Sequence, residues 1–362
     1  MKDKLNISKT SISVYIFFTI IFLCKGFNLQ SESKIYVLSY FFGFIIVVIK
    51  MFRDSYSRKE IFKMLLLYAF SIMVFLVSKN PSPLFFVIAI CCLKGVDVNK
   101  IIKLAFFTTV FSTMCMIFLS STGLIENRIV HLTRDGVLIS RYSFGYVHPN
   151  IVQMQLFIIC LMYYYIYNSK KNYIISIIFI IINFLLFKYT YSRTSFYLIN
   201  LFIIYQLFFK NIKVIQKIIK KYSKYSFCLI FFISLLLSKL YGNTLWVQHL
   251  DIFFTGRIYY GAYLLNHYSV PIFGRVYPDV MFDNSYIYLL FCCGLLFTLL
   301  YSFLFIKTVS YFQKKEKYNE LLYLLIISIF TFSENIFLSP NLNFTNYFMS
   351  YIIFENKNEE KM

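Results

Sequence analysis

The sequence predicts an all-α, polytopic integral membrane protein of about twelve transmembrane helices, with both termini cytoplasmic. Three observations carry that fold class. Of the 362 residues, 59% are hydrophobic, where a soluble globular chain sits near half. The excess is gathered into repeated runs of roughly 15–20 apolar residues, the length at which a helix crosses a hydrocarbon core. The runs do not alternate polar with apolar positions. In lipid the backbone must satisfy its own polar groups, so the runs are helices rather than barrel strands.

Lys2, Lys4 and Lys9 precede the first apolar run, 11–24, which predicts a retained first helix and no cleaved leader. The remaining spans are predicted over 35–50, 63–78, 83–93, 103–120, 151–168, 173–189, 194–209, 226–241, 285–306, 321–338 and 344–355. With the N-terminus inside, 25 of the 36 Lys and Arg fall in inner loops and tails, as the positive-inside rule requires. This sorting explains most of the formal charge of +20. Inner lysines, the 210–224 run included, are topology signals and contacts for anionic membrane lipids. Nothing there suggests nucleic-acid binding. All eight cysteines lie inside apolar runs, which implies neither disulfides nor a metal site. No repeat or low-complexity linker divides the chain, so residues 1–362 are expected to form a single transmembrane domain.

The outer side has a different chemistry. It is expected to hold six of the eight arginines, all four histidines and all six prolines, mostly in two larger loops, 121–150 and 242–284, with short interfacial helices. Arginine is preferred over lysine where a planar fork must grip phosphate or carboxylate. Arg141 opens the cluster Arg141-Tyr-Ser-Phe-Gly-Tyr-Val-His148-Pro-Asn150. Arg193 sits in Tyr191-Ser-Arg-Thr-Ser195, between the seventh and eighth spans. Arg257 sits in Thr255-Gly-Arg, at the expected start of a short helix capped by Thr255. Each arginine is read as a phosphate-binding group, with a snorkelling anchor as the alternative. His148 suits either a base or a pyrophosphate contact, or else simply marks a helix entry with Pro149 and Asn150. Asp283, in Asp283-Asn-Ser-Tyr286, suits a general base on a hydroxyl or a helix N-cap. Glu334 is placed within the eleventh span, and an intramembrane carboxylate is a functional candidate. Four histidines without regular spacing predict no metal.

Five pieces occur in order: Arg141-Tyr-Ser-x-Gly-Tyr-x-His-Pro-Asn150, Tyr191-Ser-Arg-Thr194, Thr255-Gly-Arg257, Phe273-Gly274 and Asp283-Asn-Ser-Tyr286. Together, over Arg141 to Tyr286, they resemble the Wzy-type polysaccharide polymerases, which share a superfamily with the O-antigen ligases. The resemblance implies a metal-independent glycosyltransferase with no cofactor, at the outer face of a bacterial plasma membrane. Its donor and acceptor would be glycan repeat units on undecaprenyl pyrophosphate, polymerised into surface polysaccharide. Asp283, Arg257 and Arg141 would be catalytic. Arg193, His148, Asn150, Tyr142, Asn284, Tyr286 and Glu334 would bind pyrophosphate or sugar. A chain-length regulator and a flippase are the implied protein partners. Ligases carry histidine at the place aligned with Asp283, which favours a polymerase. The rival functions are a lipid-linked oligosaccharide flippase or other transporter, and a ligase that attaches glycan to a different acceptor.

Overall fold

The computed structural model describes residues 9–29, 33–134, 136–167, 173–277 and 280–354. The lysines at 2, 4, 170, 171, 357 and 361 lie outside the described residues. The described chain is predominantly helical. Its first half holds α1 (Lys9–Gly26), α2 (Lys34–Arg53), α3 (Arg58–Ser78), α4 (Ser82–Cys91) and α5 (Val98–Ser121), then a hairpin of β1 (Ile129–Arg134) and β2 (Val137–Tyr142). There follow α6 (Pro149–Ile166), α7 (Tyr173–Thr190), α8 (Arg193–Ile204) ending in a π turn, and α9 (Lys213–Leu240). The last part holds α10 (Leu245–Phe254), α11 (Arg257–His267), α12 (Ser285–Tyr288), α13 (Leu295–Lys314), α14 (Tyr318–Phe330) and, after a 3₁₀ segment, α15 (Ser350–Ile353). Among the described residues, seven helices (α2, α3, α5, α6, α7, α9 and α13) are long and apolar enough to cross a membrane.

The exposure pattern of α5 shows why these helices suit lipid. Its exposed face carries Phe107, Phe111, Met114 and Phe118, while its buried face carries Ala105, Thr109, Ser112 and Ser120. In water the large apolar residues would turn inward. Here small and hydroxyl side chains form the packed seam, as between helices in a bilayer. Helix α1 uses that seam: a Cβ on Gly26 would collide with Ser112.

The described chain divides into two compact units, one of residues 1–46 and 96–215, the other of 47–95 and 216–362. In the first, α1 packs on α5, and α6 packs on α5, α7 and α8. In the second, an aromatic core centres on Phe227 of α9. Its ring centroid lies 5.2 Å from Tyr286, 5.8 Å from Tyr301 and 5.4 Å from Phe337. A capping box opens α3, with Ser57 N–H donating to Glu60 at 2.7 Å and Glu60 N–H donating back to Ser57 at 3.2 Å.

Four expectations are corrected. The predicted span 285–306 is broken: α12 and a π turn end at Gly294 (φ 86°), and the long helix is α13, over Leu295–Lys314. The predicted spans 321–338 and 344–355 shrink to the 13-residue α14 and to a 3₁₀ segment with a four-residue helix, so Glu334 lies in a turn beyond α14. Loop 121–150 holds a β-hairpin instead of an interfacial helix. The lysine run assigned to a loop is largely the first turns of α9, with Lys213, Lys217, Lys220 and Lys224 spaced to share one helix face.

Candidate functional site

Arg141, Tyr142, His148, Asn150 and Arg193 belong to the first unit, and Arg257, Asp283, Asn284, Tyr286 and Glu334 to the second. Within the first unit the hairpin delivers Arg141, which pairs across the ladder with Val130. Beyond β2, Phe144 and Gly145 both take left-handed backbone (φ 51° and 84°) and turn the chain toward α6. Gly145 fits this turn without strain; a Cβ there would also crowd Met116 Cε at 3.1 Å. His148 is the N-cap of α6. Its Nδ1 accepts the Asn150 backbone N–H at 3.2 Å, and Pro149 takes the first helical position. Of the two roles open to His148, the structure shows the helix entry.

Arg141 is buried. Its Nε donates to the Thr190 carbonyl at 2.6 Å, and an Nη donates to Asn150 Oδ1. From Thr190 a buried relay continues. The Thr190 hydroxyl donates to Gln153 Oε1 at 3.1 Å, Gln153 donates to Asn183 Oδ1, and Asn183 donates to the Phe196 carbonyl at 3.1 Å. The relay fastens β2 to α6, α7 and α8. Sequence reasoning missed Gln153 and Asn183, although a fully buried amide inside an apolar span is itself a signal. Tyr142 packs edge-on against Tyr189 at 6.1 Å.

Arg193 differs. It is the first residue of α8, half-buried, and meets no protein acceptor among the described residues. A cation in a helix's first turn is opposed by the macrodipole, by about 0.3–1 kcal/mol. Two residues on, the Ser195 hydroxyl is fully buried and without a partner among the described residues.

In the second unit, α10 ends in two left-handed residues, Thr255 (φ 57°) and Gly256 (φ 85°), and Arg257 begins α11. Thr255 therefore closes α10 rather than capping α11; its hydroxyl accepts from Arg257 at 2.8 Å. The backbone N–H of Ile258 is taken by Asp251 of α10, at 2.7 Å. Asp251 is buried, and burial raises its carboxyl above the ordinary carboxylate value. The backbone N–H groups of Ile258 and Tyr259 and the charge of Arg257 pull the other way. Asp251 is a third residue that sequence reasoning did not single out.

Arg257 is itself buried, and five protein oxygens face its five N–H groups. Nε donates to the Ser333 carbonyl; Nη1 donates to the Phe254 carbonyl and the Thr255 hydroxyl, both at 2.8 Å. Nη2 lies 3.0 Å from Glu334 and 3.4 Å from Asp283. Glu334 is buried, whereas the Asp283 side chain is 48% exposed.

The Asp283-Asn-Ser-Tyr286 motif divides its labour. The capping role open to Asp283 falls to Asn284, whose Oδ1 accepts the Tyr286 and Ile287 N–H groups at 2.9 and 3.3 Å. Ser285 donates to the Glu334 carbonyl at 2.7 Å and accepts the Ile336 N–H at 2.9 Å, which fixes the turn that carries Glu334. The Tyr286 hydroxyl donates to the Ser328 carbonyl at 2.8 Å. Asp283, freed from capping, faces Arg257 on one side and solvent on the other. Gly274 (φ 87°) supports this region from behind: the Arg275 N–H donates to the Phe291 carbonyl at 3.0 Å, and a Cβ on Gly274 would fall on the Cys292 carbonyl.

The helices define the broad class, a mainly α-helical chain with, among the described residues, seven helices of membrane-crossing length and composition. No protein-family model matches the chain, no curated protein matches its sequence, and no solved structure matches its fold.

Proposed function

We propose that the protein is a membrane glycosyltransferase that polymerises undecaprenyl-pyrophosphate-linked repeat units on the outer face of a bacterial plasma membrane. One observation carries the reading: a half-exposed carboxylate, Asp283, is held beside a buried arginine whose donors are otherwise engaged. Asp283 accepts the proton of the acceptor sugar's hydroxyl as that oxygen attacks the donor's anomeric carbon. The bond from that carbon to the pyrophosphate breaks, and the lipid pyrophosphate leaves with the bonding electrons. The pyrophosphate activates the donor, so no nucleotide sugar is needed.

The roles of the arginines in each unit shift from the first expectation. Arg257 faces two carboxylates, so the cluster is net negative and does not favour a pyrophosphate. It is a positioning residue for Asp283. Within the first unit, considered by itself, Arg193 is the candidate phosphate contact, and Arg141 holds the frame around it through Thr190, which closes α7 just before α8 begins. A transporter would place its polar groups near the bilayer midplane. Of the relay's buried polar groups, Asn183 alone lies near the middle of its helix; Thr190 ends α7 and Gln153 lies in the first turns of α6.

The test uses purified protein with lipid-linked repeat units and a chelator, without nucleotide sugar. Lipid-linked ladders of increasing length are expected, and none with Asp283→Asn. Transfer of single units to another acceptor would mean a ligase. Movement of units between leaflets without elongation would mean a flippase.

A further inference from the structure

A cationic cavity of about 610 Å³ opens in the second unit, lined by none of the residues of the arginine and carboxylate motifs. Lys224 of α9 and Lys307 and Lys314 of α13 line it, with Ser310, Gln313 and Tyr311 between them and Ile306 and Ile352 at its apolar margin. Residues 307, 310, 311 and 314 share one face of α13 by helical spacing. The cavity wall is braced. Gln313 donates to the Lys220 carbonyl of α9, and Tyr311 stacks on Tyr351 at 5.8 Å. Lys315 stands 4.8 Å over the Tyr311 ring and adds a fourth cation beside the cavity.

Among the described residues, no carboxylate lines this cavity. Glu316, just past α13, is engaged by Lys220 at 2.7 Å. Lys224 and Lys314 form no ion pair among the described residues, and Lys307 leans toward the Phe303 ring at 5.3 Å. Three lysines lining one cavity, with no counter-charge among the described residues, repel one another, and the C-terminal end of α13 adds only partial negative charge. An anion in the cavity relieves that repulsion, and the hydroxyl and amide between the lysines supply further donors. The cavity lies where the apolar stretch of α13, a helix of membrane-crossing length, gives way to lysine. That is the level of lipid phosphates.

We propose that this cavity is a binding site for a phosphate-bearing group, with an anionic phospholipid headgroup as its occupant. The inference is independent of the glycosyltransferase reading. Its test is binding to detergent-purified, full-length protein by native mass spectrometry, with phosphatidylglycerol, phosphatidylcholine and inorganic phosphate as separate probes. The variants are the triple Lys224→Gln, Lys307→Gln, Lys314→Gln and a comparator, Lys239→Gln, at the opposite end of α9. A lysine near an anionic membrane surface contributes about fivefold to affinity, so the triple variant is expected to lose roughly a hundredfold in phosphatidylglycerol affinity. The comparator is expected to match the wild type, and phosphatidylcholine to bind weakly to all three proteins. Inorganic phosphate that displaces phosphatidylglycerol and binds as tightly alone would keep the site but overturn the lipid as its occupant. Equal phosphatidylglycerol affinity in wild-type and triple-variant protein would overturn the site. Should the triple variant fail to fold, Lys224→Gln and Lys307→Gln singly carry the same test, each with about a fivefold loss.

Discussion

Asp283→Asn separates chemistry from architecture in the second unit. The substitution keeps the shape and removes the charge. The Asp283 side chain is 48% exposed and 3.4 Å from Arg257, so the pair is solvent-screened and contributes about 0–1 kcal/mol to stability. A lost general base lowers turnover by about 10²–10⁴, equivalent to roughly 3–5 kcal/mol of barrier. Arg257→Lys is the architectural counterpart. An ammonium has three donors and cannot face all five oxygens that surround the guanidinium, and each lost charged hydrogen bond is worth about 1.5–3 kcal/mol. With at least two lost, Arg257→Lys is expected to destabilise the fold by about 3 kcal/mol or more. The assay pairs thermal unfolding in detergent with elongation of lipid-linked repeat units. The expected result is Asp283→Asn stable and inactive, and Arg257→Lys unstable. Near-wild-type elongation by Asp283→Asn would remove the carboxylate from the chemistry. Equal destabilisation by both substitutions would make the pair purely structural.

Three further outcomes follow from the same geometry. Arg193→Gln should leave thermal stability within about 0.5 kcal/mol of wild type, since the side chain meets no described acceptor, while inhibition of elongation by added pyrophosphate should be lost. Arg141→Met should cost about 2–3 kcal/mol of unfolding free energy by stranding the Thr190 carbonyl and the Asn150 amide oxygen, read in the same detergent melts. For Asp251, the folded-state pKa lies above the unfolded one. Its contribution is therefore fully present below the ordinary carboxylate range and is lost as pH rises through the raised folded value. Asp251→Asn, which keeps an acceptor for the Ile258 N–H, should flatten that part of the stability–pH curve.

The helices were legible where an apolar run has polar ends, as for α2, α3, α5 and α7, because a membrane-length run leaves the backbone few other choices. The break at Gly294 was not legible, since the residues on both sides of it are equally apolar. What stops the helix is a backbone approach: the Leu295 N–H donates to the Pro271 carbonyl at 2.9 Å, and a Cβ on Gly294 would collide with Gly274 and Ile272. The hairpin did leave a signal, Asp135-Gly136 between β-branched flanks, with Gly136 at φ 77°. In the site, the motif residues stood out as polar islands in an apolar chain, but their partners did not. Thr190, Gln153 and Asn183 lie on two helices, α6 and α7, and only packing shows that they continue from Arg141.

The arginines illustrate how far residue type alone reaches. All of Arg141, Arg193 and Arg257 invite a phosphate by chemistry, yet an arginine's value to an anion depends on what its fork already holds. Arg257 faces two carboxylates, two carbonyls and a hydroxyl, so its charge is balanced before any substrate arrives. Bringing a pyrophosphate to it means displacing those oxygens and stranding Glu334, which is buried, as an uncompensated charge; breaking such a buried pair costs about 3–5 kcal/mol. The same saturation makes Arg257 a good positioner, because a guanidinium held on every edge cannot swing when Asp283 takes up a proton. Arg193 has the opposite character, with donors unspent among the described residues and a helix dipole that works against it. A charge kept under those conditions is poised for an external anion, and phosphate is an anion that a guanidinium fork fits well.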